Sequence, residues 1–266
     1  METINPSTSP ATITPGWRKP PGKVIVVLPA FNEEENLAPL LERIDQAMVD
    51  ENLAYQVIVV DDGSKDRTAE IAQEHAKFMP ILVHRHEVNQ GLGATIRDGL
   101  RIAAENCGER DIIVAMDADN THTPRLIRAM TRLVEEGNDV VIASRYQRGA
   151  YVRGVPFHRQ LLSYGARVLF QIFFPIHGVR DYTCGFRAYR APVLREAFQK
   201  YGNEFISEDG FQCMVDILLK LRSMDVIFRE CPLILRYDFK GGASKMRVLR
   251  TSWRTITLLI KRRLGG

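Results

Sequence analysis

The sequence predicts an α/β fold: a mostly parallel central sheet with helices on both faces. From residue 23 onward, short apolar runs rich in Val and Ile alternate with helical patterns, the chain order of strand–helix–strand crossovers. Those runs are continuously apolar, as strands covered on both sides must be. Three of them end in acidic, turn-forming loops, and in such sheets ligands bind beyond the carboxyl ends of the strands.

Residues 1–22 are rich in Pro, Ser and Thr and contain no apolar signal-peptide core, so they read as a flexible leader. Strands are expected at 24–30, 56–60, 81–84, 112–116 and 139–143, with helices at 33–50, 65–77, 92–106 and 124–136 between them. Beyond Arg145 the alternation fades. A long apolar helical stretch, 155–177, is broken by Arg159 and Arg167. A strand-like DYTCGFRAYR follows, then helices near 192–200 and 208–222 and a strand ending in LILRY. One domain over 23–245 results, in two parts, 23–145 and 146–245, and residues 246–266 form an appended segment.

Composition excludes several classes. No run of 18 apolar residues occurs, so no bilayer span is encoded. Cys107, Cys184, Cys213 and Cys231 lie far apart, without a CxxC pair or zinc-type spacing, which suits free thiols in a reducing compartment. From Lys240 to the end there are eight Lys or Arg and no acid. Setting those eight aside leaves 28 basic against 32 acidic residues, so the basic charge belongs to the tail. A local anionic partner is implied, a membrane surface before nucleic acid.

The acidic loops carry the chemistry. Asp117 and Asp119 in MDADNTH stand one residue apart where a strand ends. Two neighbouring carboxylates raise each other's pKa unless a cation lies between them. A solvated loop is the bland reading of DAD, and a turn is the bland reading of VVDDGS, which also resembles the acidic pocket of a response-regulator receiver. GLGATIRDG lacks the third Gly of a dinucleotide fingerprint, so Gly91 and Gly93 read as a tight lead into a helix beside the crevice. His84 and His86 read as surface residues at a strand end.

In order, LPAFNEEENL, VVDDGSKDRT, NQGLGATIRDG, MDADNTHTP, IASRY, GFRAYR and GGASK resemble the family 2 inverting glycosyltransferases. The order is most similar to that of the dolichyl-phosphate mannose synthases and related polyprenyl-phosphate glycosyltransferases, over roughly residues 23–247. The resemblance implies a GT-A type fold, with a nucleotide-sugar half (23–145) and an acceptor half (146–245). It implies a donor of the GDP-mannose or UDP-glucose type, held at Pro29, Phe31, Glu33, Asp61, Asp62, Gly91 and Asp117. A Mg²⁺ or Mn²⁺ ion would be held by Asp117 and Asp119, with donor phosphates completing its shell. Relatives often carry a Gln two residues after the second Asp; Thr121 stands there, a weaker ligand, and His122 is the substitute.

On the acceptor side, the resemblance implies that Arg145, Arg159, Arg187 and Arg236, with Ser244 and Lys245, grip a polyprenyl or dolichyl phosphate. Arginine suits phosphate because its planar fork is permanently charged. With Asp119, Arg145 and Arg159 make the expected catalytic group. The alternative is a hydroxyl acceptor with Asp209 of SED as general base, beside the bland reading in which Ser207 caps the following helix. A non-catalytic nucleotide-sugar-binding module is the third reading. In the tail, Met246, Leu249, Trp253, Ile256 and Ile260 form one helical stripe with basic residues off it. That pattern predicts an interfacial helix that holds a peripheral enzyme on an anionic membrane surface; the cytoplasmic face is the expected one, and a separate membrane-anchoring protein stays open as a further partner.

Overall fold

In the computed structural model, residues 22–153, 157–210 and 212–236 are described. The expected helix at 246–266, and Ser244 and Lys245, lie outside them. Seven strands form the main sheet, in the order β3-β2-β1-β4-β7-β5-β8. They are β1 (Val24–Ala30), β2 (Tyr55–Asp61), β3 (Ile81–Arg85), β4 (Ile112–Ala115), β5 (Val140–Ser144), β7 (Arg187–Arg190) and β8 (Phe228–Pro232). All neighbours pair in parallel except at β7, which runs antiparallel between β4 and β5. A second, two-stranded sheet pairs β6 (Tyr151–Arg153) with β9 (Ile234–Arg236).

The helices are α1 (Glu34–Asp50), α2 (Thr68–His75), α3 (Leu92–Glu105), α4 (Leu126–Glu135), α5 (Phe157–Phe173), α6 (Ala191–Tyr201) and α7 (Gln212–Arg222). Strand β1 is the pivot. The chain winds from β1 through β2 to β3 on one side, then returns to place β4 on the other. That reversal opens a crevice between the loops after β1 and β4, where a doubly wound sheet receives its ligand.

The Val-rich strands bury both faces, and Ile25, Val26, Val27, Val57, Val59 and Val114 are fully enclosed. Helix α3 lies close on this layer because Gly99 carries no side chain. A Cβ there would come 2.5 Å from Val27 Cγ1 and 2.9 Å from Val60 Cγ2. Gly99→Ala is therefore expected to destabilise the fold by about 1–3 kcal/mol through overpacking. A urea midpoint equal to wild type would show that α3 lifts freely and refute the packing argument.

Two elements differ from the sequence expectation. Only the last four residues of DYTCGFRAYR form a strand, because the first six turn back to cap buried polar groups. The 208–222 helix begins at Gln212, and Ser207 does not cap it: the Ser207 hydroxyl and N–H both donate to Asp216 Oδ2, at 3.1 and 3.0 Å.

Candidate active site

The loops after β1 and β2 are stitched together by short polar side chains. Asn32 takes a left-handed φ of 52° and donates its N–H to Ser64 Oγ (2.9 Å), while its Oδ1 accepts from the Lys65 N–H (2.9 Å). Glu33 donates its N–H to Thr68 Oγ1 (2.8 Å) and accepts from Asn36 Nδ2 (2.7 Å). Pro29, Phe31 and Glu33 thereby sit half-buried on one wall of the crevice. None of Asn32, Ser64 and Thr68 stood out in the sequence, although all three are residue types that bond locally to backbone in turns.

Asp61 and Asp62 form the adjoining floor, with both side chains turned into the protein. Asp61 accepts from the Ser64 N–H (3.1 Å), and its other oxygen lies 3.1 Å from Arg85 Nε. Asp62 accepts from the N–H groups of Gln90 (2.8 Å) and Gly91 (2.9 Å) and meets His86 Nδ1 at 2.8 Å. Asp62 thus holds the lead into α3, where Gly91 takes a φ of 90° that favours glycine. The sequence expectation puts the base and ribose on Asp61 or Asp62, with Pro29, Phe31 and Glu33; in this conformation both carboxylates also shape the loops of that wall. His86 corrects the surface reading: it is 4% exposed, between Asp62 and Asp98.

The acidic turn closes the other wall. Met116 still donates its N–H to Val27 O (3.1 Å), so Asp117 emerges level with the end of β1. Its N–H donates to His122 Nδ1 (3.3 Å), and the His122 ring stacks on Phe186 at 5.0 Å. Asp119 Oδ1 accepts from the Thr121 hydroxyl (2.7 Å) and N–H (3.2 Å). Thr121 was expected as a weak metal ligand, and here its hydroxyl orients Asp119. Between them Asn120 has a φ of 60°, and Arg43 of α1 donates to its carbonyl (3.3 Å) and side chain. The turn is a braced loop, and the Asp119 carboxylate is held from within it.

This turn fits a hard divalent cation. It offers carboxylate oxygens, the donors such ions prefer, and Gly185 leaves space against it, since a Cβ there would stand 3.1 Å from Asp117 Oδ1. Among the described residues no three His, Cys, Asp or Glu side chains converge to hold a metal alone.

The segment from Asp181 to Gly185 links this turn to Arg145. The Arg145 guanidinium donates to both oxygens of Asp181 (2.8 and 2.6 Å) and to Thr183 Oγ1 (2.6 Å). Burial disfavours the charge on each partner, but the pair's mutual attraction wins: Asp181 is held below the ordinary carboxylate range and Arg145 above its own. Glu230 braces the same segment by accepting from the Arg180 and Asp181 N–H groups, both at 2.6 Å. Arg187, expected among the acceptor arginines, is 0% exposed and donates to the carbonyls of Met214 and Tyr182, so it is a core residue.

Of the other expected residues, Arg159 lies in α5 and Arg236 ends β9. A bridge pairs Leu235 with His122, which brings β9 across the acidic turn. Asp209 is exposed, in a loop resting on α3: a Cβ on Gly93 would fall 2.2 Å from Glu208 O.

Residues 25–198 match the family described as "Glycosyl transferase family 2". The chain belongs to glycosyl transferase family 2. A relative in this family, "Polyprenol monophosphomannose synthase" of Mycolicibacterium smegmatis, is 32% identical over 89% of this chain and 84% of its own length. "Dolichol-phosphate mannosyltransferase" of Pyrococcus furiosus is 37% identical over 82% of this chain, which spans 58% of that longer protein. Among solved structures, glucosyl-3-phosphoglycerate synthase from Mycobacterium tuberculosis, in complex with Mn²⁺, UDP and phosphoglyceric acid, superposes with a TM-score of 0.66. That comparison covers 94% of this chain and 85% of the synthase at 21% identity. This family 2 chain has the GT-A type fold, with its braced acidic turn at the switch point of the sheet.

Proposed function

We propose that this glycosyltransferase moves a hexose, mannose favoured over glucose, from a nucleoside diphosphate sugar to a polyprenyl phosphate at a membrane surface, with inversion. One observation carries the reading: the segment Asp181–Gly185 touches Arg145 through Thr183 and the acidic turn through Gly185. At about 3.3 Å per extended residue, the two-residue step from Thr183 to Gly185 keeps Arg145 and Asp117 within the reach of one sugar. The named activities of the mycobacterial and archaeal relatives support a mannosyl donor and a lipid phosphate acceptor.

The chemistry is a single displacement. An oxygen of the acceptor phosphate forms the new bond to the anomeric carbon as the bond to the donor's β-phosphate breaks, and the nucleoside diphosphate leaves with the electron pair. A phosphate monoester is already ionised near neutral pH, so no strong base is required. Asp117 and Asp119 would hold a Mg²⁺ or Mn²⁺ ion, whose bound charge supplies electrostatic stabilisation of the departing diphosphate. Pro29, Phe31, Glu33 and the loops shaped by Asp61, Asp62 and Gly91 receive the nucleoside. Arg159, Arg236, Ser244 and Lys245 complete the acceptor side.

Membrane contact has a physical basis in α5, which exposes Tyr164, Val168, Leu169, Ile172 and Phe173. Among the described residues no helix is long and apolar enough to cross a membrane. Peripheral binding at the cytoplasmic face, through α5 and the basic 246–266 segment, follows as part of the proposal.

The test is a donor screen with purified protein, labelled GDP-mannose and UDP-glucose, a polyprenyl phosphate and the matching polyprenol. Label should enter the lipid phase with the phosphate only, and Asp209→Asn should retain most of that activity. Transfer to the alcohol alone, lost in Asp209→Asn, would establish the hydroxyl-acceptor reading. Donor binding with no transfer to either lipid would make the chain a binding module.

A further inference from the structure

The carboxylate of Asp62 is held from three directions. It accepts from the N–H groups of Gln90 and Gly91, and the ring of His86 meets its Oδ1 through Nδ1 at 2.8 Å. The main chain interlocks at the same place. His86 donates its N–H to Asp61 O (2.9 Å), Asn89 Nδ2 donates to Asp62 O (3.3 Å), and a Cβ on Gly63 would fall 2.8 Å from the Asn89 nitrogen. The turn before α3 is therefore wrapped around the loop after β2. Among the described residues, His86 is the side chain that fastens Asp62 within that wrap.

His86 faces a second carboxylate on its other side. Its Nε2 is buried and lies 3.3 Å from Asp98 Oδ2, without an aligned hydrogen bond. Asp98 stands in the second turn of α3 and is paired with Arg97 Nε at 3.1 Å. The two ring nitrogens thus have unequal tasks: Nδ1 makes the bond, and Nε2 only approaches its neighbour. A carboxylate accepts and never donates, so the bond to Asp62 requires the proton on Nδ1. Without that proton, Asp62 keeps its charge in a buried place and loses one of its donors, which costs more than the bond itself. Asp62 would then turn, and the Gln90 and Gly91 N–H groups would lose their acceptor at the wall of the crevice.

We infer that His86 is a positioning residue of the donor site. Through Nδ1 it holds the Asp62 carboxylate, and with it the Gln90–Gly91 turn, in the form that receives the nucleoside of the donor. The inference rests on the nucleotide-sugar reading above and adds a residue to it. A histidine that merely ties the sheet to α3 would lower stability and leave donor affinity untouched in the folded protein.

The experiment uses the full chain and separates the two ring nitrogens. In His86→Asn the amide nitrogen stands at the δ position, towards Asp62; in His86→Gln it stands at the ε position, towards Asp98. His86→Gln should raise KM for the donor that wild type uses, GDP-mannose or UDP-glucose, by about 10- to 100-fold, the worth of a hydrogen bond to a charged group. Calorimetric affinity for the matching GDP or UDP, with Mn²⁺ present, should fall by the same factor. Its kcat at saturating donor and its KM for farnesyl phosphate should stay within about twofold of wild type. His86→Asn should keep donor KM within about threefold, although urea midpoints fall in both variants. If His86→Gln does not fold, His86→Asn decides alone, since donor affinity kept supports the inference and donor affinity lost overturns it. A wild-type donor KM in His86→Gln, or a loss in His86→Asn as large as in His86→Gln, overturns the inference by itself. A wild type with no affinity for GDP or UDP in the presence of Mn²⁺ overturns the nucleotide-sugar reading on which it rests.

Discussion

Replacing Asp119 with alanine is expected to lower kcat/KM by about 10³-fold, the scale seen when a preorganised electrostatic group is removed from a transferring centre. The loss should exceed that of Thr121→Val, because Thr121 acts on Asp119 through one 2.7 Å hydrogen bond while Asp119 is the group being aimed. Asp117→Asn should behave like Asp119→Ala, since its amide cannot supply a second negative charge to a divalent ion. Calorimetric titration of Mn²⁺ in the presence of nucleoside diphosphate gives an independent readout, with affinity lost in both variants and kept in Thr121→Val. Undiminished turnover in excess chelator would refute the metal-dependent reading.

The sequence shows this turn because both causes of its position are local. Ile112–Ala115 is apolar on both faces, so the strand must end where the carboxylates begin, and Asp119, Asn120 and Thr121 are turn formers. The same logic made β1 to β5 and their intervening helices readable from alternation. The bracing was hidden because it comes from far away in the chain. Arg43 reaches Asn120 across 77 residues, and Asp62 meets His86 across 24. A carboxylate in a DDGS loop reads as a ligand contact, and its part in shaping the loop shows once a histidine with no local signal is found beside it.

Beyond Arg145 the sequence is harder to read, for a related reason. Strand β7 enters antiparallel between two strands of the parallel layer, carrying Arg187 into a core position. An arginine in such a run normally marks a surface, and of the two carbonyls that accept from it, that of Tyr182 lies five residues upstream while that of Met214 arrives from α7. The arginines therefore divide by partner, which no motif spacing records: Arg187 serves the core, Arg145 the Asp181 segment, and Arg167 has no carboxylate among the described residues.

That division makes Asp181→Asn the second large perturbation, on stability. Asp181 is 0% exposed and faces Arg145 with both oxygens. Removing its charge strands a largely buried guanidinium, which costs about 3–5 kcal/mol when one member of a buried pair is lost. The pH dependence follows from the direction of the shift. Because Asp181's folded pKa lies below its unfolded value, its contribution is fully present above the ordinary Asp pKa of about 3.9 and is lost as pH falls through the folded value. Glu230 works the other way. Burial raises its pKa, with a smaller push from the Asp181 charge that Asp181→Asn removes, so its ionisation opposes folding near neutrality and is relieved on acidification. Urea midpoints should therefore differ most at pH 6–7, and the gap between wild type and Asp181→Asn should close below about pH 4. A gap that stays constant down to pH 3 would mean that Asp181 acts by shape alone. Pairing the change with Arg145→Met should cost less than the sum of the two single variants, because the second substitution removes the stranded charge created by the first.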